Sequence, residues 1–311
     1  MRILVIGAGA LGGYFGGCLL HAGRDVTFMV RSPRAAQLAA DGLRIVSPHG
    51  DFTVAAPTIL SDEVREPYDV VLVGTKAYSL DEAIEQFAPA VGPNTMILPI
   101  LNGMAHLDHL GRRFGPERVL GGAALISATL DADGRVVLLL PLNELVLGEI
   151  AGGLSDRIRL LSDAFHGAAF NARASDIILQ EMWEKWAGLA TNAGATGMMR
   201  ACLGDILAAP GGEQMILRLF DECRAVAAAA GFPIRPHFLE FCMSLFTKKG
   251  SPVKASLLRD IERGAATEGD HVLGDMVARA RAFGVETPIL DLARIHVAAY
   301  EAGRAREAAG A

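Results

Sequence analysis

A chain of 311 residues has room for two domains with separate cores, and 51% hydrophobic with 21% charged residues places it among soluble globular proteins. Its formal charge of -6 argues against nucleic acid or an anionic membrane as a bulk partner, and no run of about 18 apolar residues or leader-like pattern suggests a membrane span or a secreted chain. Cys18, Cys202, Cys223 and Cys242 lie far apart and read as buried or half-buried thiols of the reducing cytoplasm, while eight scattered histidines give no expectation of a metal site.

Residues 1–6, MRILVI, read as a strand that runs into GAGALG, where Gly7, Gly9 and Gly12 occupy the pattern GxGxxG. Gly7 permits a sharp turn, Gly9 lets backbone approach a pyrophosphate, and Gly12 lets the following helix pack closely on the sheet. That helix is rich in small residues and stops at Gly23. The turn and helix start, Gly7, Ala8, Gly9, Ala10, Leu11 and Gly12, would present free N–H groups to a dinucleotide. The plain alternative is a glycine-rich turn without a ligand.

A second strand, RDVTFMV, ends at Arg31. A site for NAD places Asp or Glu at about this distance from the glycines, to accept from the ribose 2′-hydroxyl. Arg31 instead offers a guanidinium matched in charge and bidentate geometry to a 2′-phosphate, which points to NADP(H), with Arg34 placed to assist. Two solvated arginines are the alternative.

Residues 43–46 and 52–54 suggest a small hairpin, and 68–73 a buried strand that ends in Gly74, Thr75 and Lys76. Ser79 and Glu82 have the spacing of a capping box at the start of the next helix. Residues 95–101 form a further strand that stops at Asn102 and Gly103. Lys76 and Asn102 thus share the carboxyl ends of strands with the glycine turn, where open α/β sheets bind ligands. Residues 118–128 and 135–140 suggest another hairpin, 144–148 an edge strand, and 155–165 a capped helix.

Alternation of strand and helix stops near Asn171 and only helical patterns follow, so a boundary is expected between a domain of residues 1–172 and one of 173–311. Asp176 is the expected N-cap of a helix on which Ile178, Met182, Trp183, Trp186 and Ala190 form an apolar stripe. Lys185 lies between parts of that stripe, and Asn192 falls nearly on its line at about 100° per residue. Such a lysine is either desolvated, which lowers its pKa and makes it an acid usable near neutral pH, or paired with Glu181 on a wet face. Residues 211–230, 236–246, 254–263, 268–283 and 288–302 complete a helical set. Thr267 is placed to cap the fourth of these, which puts Glu268 in its first turn, where a carboxylate is favoured. Glu268 there would accept from substrate hydroxyls or merely stabilise the helix end.

Five segments, IGAGALGG, VLVGTKAYSLDEAI, LNGM, EMWEKWAGLATNAGATGM and SLLRDIERGAATEGDHVLGDMVARARAFGVETP, resemble in order and spacing the ketopantoate reductase (2-dehydropantoate 2-reductase) family over nearly the whole chain. The resemblance implies an α/β fold with an N-terminal Rossmann-type domain for NADP(H) and a C-terminal all-helical domain like that of 6-phosphogluconate dehydrogenase. By motif match it makes Lys185 the catalytic lysine and Glu268 and Ser256 the substrate-binding glutamate and serine. Asn102 corresponds to the asparagine of the NGM turn, at the cofactor and the substrate, Lys76 to the lysine near the cofactor, and Arg31 to the 2′-phosphate ligand. Where the family carries asparagines four and eight residues after the lysine, this chain has Leu189 and Ala193, with Asn192 on the same face as a replacement for one.

The implied activity is NADPH-dependent reduction of ketopantoate to pantoate, in pantothenate biosynthesis, by a cytoplasmic homodimer whose partner is a small keto acid. Leu189 and Ala193 raise the alternative of another 2-keto acid or ketone. A redox sensor that holds NADP(H) without turnover is the non-enzymatic alternative, against which the joint presence of Lys185 and Glu268 speaks.

Overall fold

The computed structural model describes residues 1–310, which separate into two compact units. The first comprises Met1–Leu101 and His106–Leu179, the second Asn102–Ala105 and the described residues from Gln180 onward.

The first unit follows the order β1 (Arg2–Ile6), α1 (Ala10–His21), β2 (Asp25–Met29), α2 (Ser32–Asp41), β3 (Leu43–Val46), β4 (Phe52–Val54), β5 (Thr58–Ile59) and β6 (Val70–Val73). It continues with α3 (Leu80–Phe87), β7 (Met96–Pro99), α4 (Ala105–Phe114), β8 (Leu120–Leu130), β9 (Val136–Glu149), α5 (Asp156–Phe165) and β10 (Asn171–Ala174). One sheet is wholly parallel, in the order β5-β2-β1-β6-β7. Its strands are apolar on both faces because both are covered. Ile3 and Val5 of β1 join a core with Phe15, Phe28 and Leu147, while Leu4 and Ile6 join one with Val71, Ile84 and Phe87.

The second sheet runs β10-β9-β3-β4, with β8 paired to β9. The expected hairpin of residues 43–54 is its β3-β4 pair. The strand expected at 144–148 is not a separate edge but the end of β9, which stays antiparallel to β8 along its length. Between the pairs Ile126–Asn143 and Ala128–Leu138 the register shifts, so residues 139–142 bulge opposite Ser127. Pro141 sits in that bulge, where a strand tolerates a residue without an N–H. Residues 171–174, expected to lie beyond the last strand, form β10 and pair in parallel with β9. Their pattern NARA carries no large apolar residue, so periodicity could not reveal a strand held by ladder hydrogen bonds.

The capping box at Ser79 does not form. A 3-10 turn over Ala77–Ser79 precedes α3 and holds Ser79 at φ -106° and ψ 4°, away from the extended geometry that a capping hydroxyl needs. Ser155 does cap α5, its hydroxyl oxygen accepting from Ile158 N at 3.3 Å.

The helical elements are α6 (Ile178–Met199), α7 (Leu203–Ala208), α8 (Gly212–Ala229), α9 (Pro236–Phe246), α10 (Ser256–Glu262), α11 (Asp275–Phe283) and α12 (Pro288–Ala308). The first two residues of α6, Ile178 and Leu179, group with the first unit and the remainder with the second. Asp176, the expected N-cap, lies in the turn before α6, which begins at Ile178, and in that turn the Ser175 hydroxyl accepts from Ile177 N at 3.2 Å. Ile178, Met182, Trp183, Trp186 and Ala190 are all buried, as their spacing requires. The short α7 was not legible in the sequence, and residues 270–274 are wound as a π-helix ahead of α11. No helix among the described residues is long and apolar enough to cross a membrane.

Backbones approach closely at Gly12, since a Cβ added there would lie 2.2 Å from the Gly7 carbonyl oxygen. Gly12→Ala is expected to cost about 1–3 kcal/mol through overpacking. A lowered midpoint in urea denaturation would show it, and an unchanged midpoint would show that the turn can yield.

Candidate active site

In the first unit the glycine turn has the geometry of an anion cradle. Gly7 adopts φ +86°, a left-handed conformation that admits glycine readily, and turns the chain out of β1. Gly9 is the N-cap of α1 and has nothing within 4 Å of where its Cβ would be, so the space above it is open. Gly12 packs under Gly7, and a Cβ on Gly74 at the end of β6 would come within 2.8 Å of Gly12 backbone. No side chain caps α1 and no acidic residue lies in its first turn, leaving the N–H groups of Ala10, Leu11 and Gly12 to an external anion. Thr75 adds a buried hydroxyl with no hydrogen-bond partner, on a side chain that packs toward Gly7. These features fit a dinucleotide.

The two arginines after β2 have different surroundings. Arg31 is the N-cap of α2, exposed, and its Nη2 pairs with Glu82 Oε2 at 2.8 Å. Arg34 is half-buried and turned inward. Its Nε and Nη2 donate to the Ala8 carbonyl at 3.2 and 3.0 Å, and its Nη1 to Gln37 Oε1 at 2.6 Å and the Gly134 carbonyl at 3.0 Å. Burial, with the nearby charge of Arg44, lowers its pKa from the usual guanidinium value. Arg34 therefore shapes the glycine turn from below, a role that a sequence pattern of two surface arginines conceals. Lys76 follows β6 as the N-cap of the 3-10 turn before α3.

The second unit gathers Asn102, Lys185, Asn192, Ser256 and Glu268 on elements that are joined to one another. Lys185 is half-buried in the middle of α6, and desolvation of its ammonium brings its pKa from 10.5 to about 8, with the negative charge of Glu268 acting in the opposite direction. The counter-charge that acts on Lys185 is thus Glu268 rather than Glu181. Trp186, the next residue on α6, donates from Nε1 to the Val272 carbonyl at 2.9 Å and fastens α6 to the π-helical segment. Gly103, at φ +77°, lies against the same segment: a Cβ there would be 3.0 Å from His271. The Asn102 turn, the lysine helix and the residues after Glu268 are thereby held by one short wound segment. Such π turns recur at functional sites because they displace a side chain from the regular helical line.

Glu268 precedes the helix rather than lying in its first turn, its carbonyl accepting from Val272 N at 2.9 Å. Thr267 does not take the expected N-cap position, since the helix begins after Glu268; its hydroxyl accepts from Gly269 N at 3.3 Å in the turn just ahead of the helix. The Thr267 N–H in turn donates to Glu301 Oε1 at 2.7 Å, so α12 braces the loop from behind. Ser256 opens α10, and the adjacent Ala255 N–H donates to Thr196 Oγ1 at 3.3 Å. Thr196 itself donates to the Asn192 carbonyl at 2.6 Å, which links the start of α10 to α6. The side-chain Oδ1 of Asn192 is buried and has no hydrogen-bond partner. Ala193 is buried and Leu189 half-buried.

Next to Lys185, Glu184 is only 1% exposed and accepts from Arg235 N, Nε and Nη2 at 2.9, 2.8 and 2.6 Å. Burial raises its pKa, but the hydrogen bonds from Arg235 outweigh that and leave it below the ordinary value. This pair ties the start of α9 to α6. Neither Glu301 nor the Glu184–Arg235 pair could be found from spacing, since each joins residues far apart in the chain.

An α/β unit with an open glycine turn, followed by a helical unit with a desolvated lysine under the influence of a carboxylate, has the parts of a two-domain oxidoreductase. Residues 3–152 match the family described as ketopantoate reductase PanE/ApbA, and residues 177–301 match its C-terminal domain. The chain belongs to this family and is an oxidoreductase. It is 36% identical over 302 residues to the uncharacterized oxidoreductase YkpB of Bacillus subtilis, with 97% of this chain and 99% of that one covered. The 2-dehydropantoate 2-reductase of Geobacter metallireducens superposes with a TM-score of 0.86 at 29% identity, covering 96% and 99% of the two chains. A D-mandelate dehydrogenase solved with NADH and anilino(oxo)acetate has the same fold, with a TM-score of 0.88 at 24% identity over 98% and 99% of the chains.

Because the folded pKa of Lys185 lies below 10.5, the unfolded chain holds the extra proton between about pH 8 and that value. The cost of burying this group is therefore complete below about pH 8 and is relieved as pH rises. Lys185→Met should be more stable than the parent near pH 7, by a margin that shrinks toward about pH 10. Chemical denaturation at both pH values checks this, and a constant margin would contradict it.

Proposed function

We propose that the chain reduces a 2-keto acid with NADPH, and that the substrate is 2-dehydropantoate (ketopantoate), which becomes pantoate. The observation that carries the reading is an ammonium whose pKa is brought to about 8 by burial, with the charge of Glu268 acting on it. A general acid works best when its pKa lies near the operating pH.

A bound nicotinamide dinucleotide supplies the hydride. On the turn of Gly7, Ala8 and Gly9, whose own Gly7 N–H is engaged by the Met29 carbonyl, the N–H groups of Ala10, Leu11 and Gly12 would hold the pyrophosphate, while Arg31 would read the 2′-phosphate and Lys76 and Asn102 would border the cofactor. Lys185 donates a hydrogen bond to the substrate carbonyl oxygen and passes its proton to the alkoxide that forms as C2 is reduced. Asn102 and Ser256 orient the carboxylate and carbonyl, and Glu268 accepts from a substrate hydroxyl while it keeps Lys185 charged. Asn192, with an unmatched buried acceptor on the lysine face, serves the substrate from the same helix. Residues 1–172 supply the cofactor half and 173–311 the substrate half, with Asn102 contributed from the first stretch of chain. The four free thiols accord with a cytoplasmic setting, and a place in pantothenate biosynthesis and a homodimer belong to the same reading.

A different 2-keto acid on the same machinery is the second reading, favoured by the apolar Leu189 and Ala193 where the family carries amides. Loss of NADPH absorbance with ketopantoate, beside pyruvate and 2-ketoisovalerate, separates the two. Turnover of ketopantoate alone supports the first, turnover of another acid supports the second, and cofactor binding without any turnover would leave only a sensor.

Lys185→Ala is expected to lower kcat by ~10²- to 10⁴-fold while NADPH still binds, and equal turnover would reject the assignment. The reduction needs protonated Lys185, so kcat/KM should be flat at lower pH and fall above about pH 8. Glu268 raises that pKa, so Glu268→Gln should move the falling limb to lower pH. A limb that stays in place would mean that another group titrates.

A further inference from the structure

The strand order puts β2 and β6 on either side of β1. Arg31 follows β2 as the N-cap of α2, and Glu82 lies in the first turn of α3, which follows β6. Their ion pair, 2.8 Å between Arg31 Nη2 and Glu82 Oε2, joins the two elements that flank the glycine turn. Arg31 has no other side-chain partner among the described residues. The pair is open to water, with side chains 71% and 55% exposed, so either group can turn away. Glu82 also has a second partner, since its Oε1 accepts from Gln86 Nε2 at 2.8 Å. It can release Arg31 and remain hydrogen-bonded, in a first helical turn that favours its charge.

We propose that Glu82 is a specificity-determining residue that competes with the cofactor 2′-phosphate for the Arg31 guanidinium. This rests on the reading of Arg31 as the phosphate ligand. A 2′-phosphate that takes Arg31 must displace a carboxylate and then sit near it, so part of its attraction to the guanidinium is offset. A cofactor with a 2′-hydroxyl leaves the pair in place and meets no such opposition. Arg31 favours the phosphorylated cofactor, and Glu82 limits by how much.

Calorimetric titration of the full chain with NADP⁺ and with NAD⁺ tests this without recourse to turnover. Glu82→Gln should lower the Kd for NADP⁺ about fivefold, near the upper range for an exposed ion pair, and leave that for NAD⁺ within about twofold. Glu85 is the control: it lies one turn further along α3, pairs with Arg113 at 2.9 Å, and carries the same charge. Glu85→Gln should change neither constant. In an Arg31→Ala background the effect of Glu82→Gln should vanish, because the two residues act through one contact. An unchanged Kd for NADP⁺ in Glu82→Gln, equal tightening in Glu85→Gln, or the same gain without Arg31 would each overturn the proposal. Loss of the NADP⁺ preference in Arg31→Ala with no effect of Glu82→Gln rejects the competition alone. A preference that survives Arg31→Ala rejects both the competition and the reading of Arg31.

Discussion

The first unit depends on a contact that has no side chain in it. Gly12 backbone lies under the Gly7 carbonyl and close to Gly74, at the point where the ends of β1 and β6 meet the start of α1. A side chain at Gly12 would push α1 away from β1, and α1 is the helix that carries Phe15, Cys18 and Leu19 into the core. The same approach leaves the first N–H groups of α1 uncapped above an open space at Gly9. Close packing and an uncapped helix end therefore have one cause, a turn from which Cβ atoms are excluded.

The second unit depends on a different constraint, the local change of helical pitch at residues 270–274. Trp186 and Gly103 both contact this short segment, and Glu268 lies two residues before it. A lysine in the middle of a 22-residue helix and a glutamate at the mouth of another are brought into electrostatic contact in this way. The surrounding ion pairs differ in what they contribute. Glu184 is buried and joins half-buried Arg235 in a multiply hydrogen-bonded pair, so loss of the arginine would strand a buried carboxylate, whereas Arg31 and Glu82 form an exposed pair that exchanges at little cost. The first suits a fixed scaffold and the second a ligand site.

Some features could be read from the sequence because their causes are local. A period of two or a continuous apolar run yields β1, β6 and β7, the 3.6-residue period yields the buried stripe of α6, and GxGxxG yields the turn, since each reflects sterics and burial within a few residues. The location of Lys185 inside that stripe was equally legible, but whether it met water or protein was not.

The amino-acid sequence by itself determined the glycine turn, the change from alternating strands and helices to helices, the apolar face around Lys185 and membership of a reductase family. Only the tertiary structure decided that Glu268 and not Glu181 is the charge acting on Lys185, that Arg34 turns inward to the Ala8 carbonyl, that Glu82 engages Arg31 instead of a capping box, and that NARA is a strand. The reason is the same in each case. Periodicity reports which face of an element is buried, while the partner of a charge or of a backbone ladder is set by residues dozens of positions away, and only folding brings them within reach.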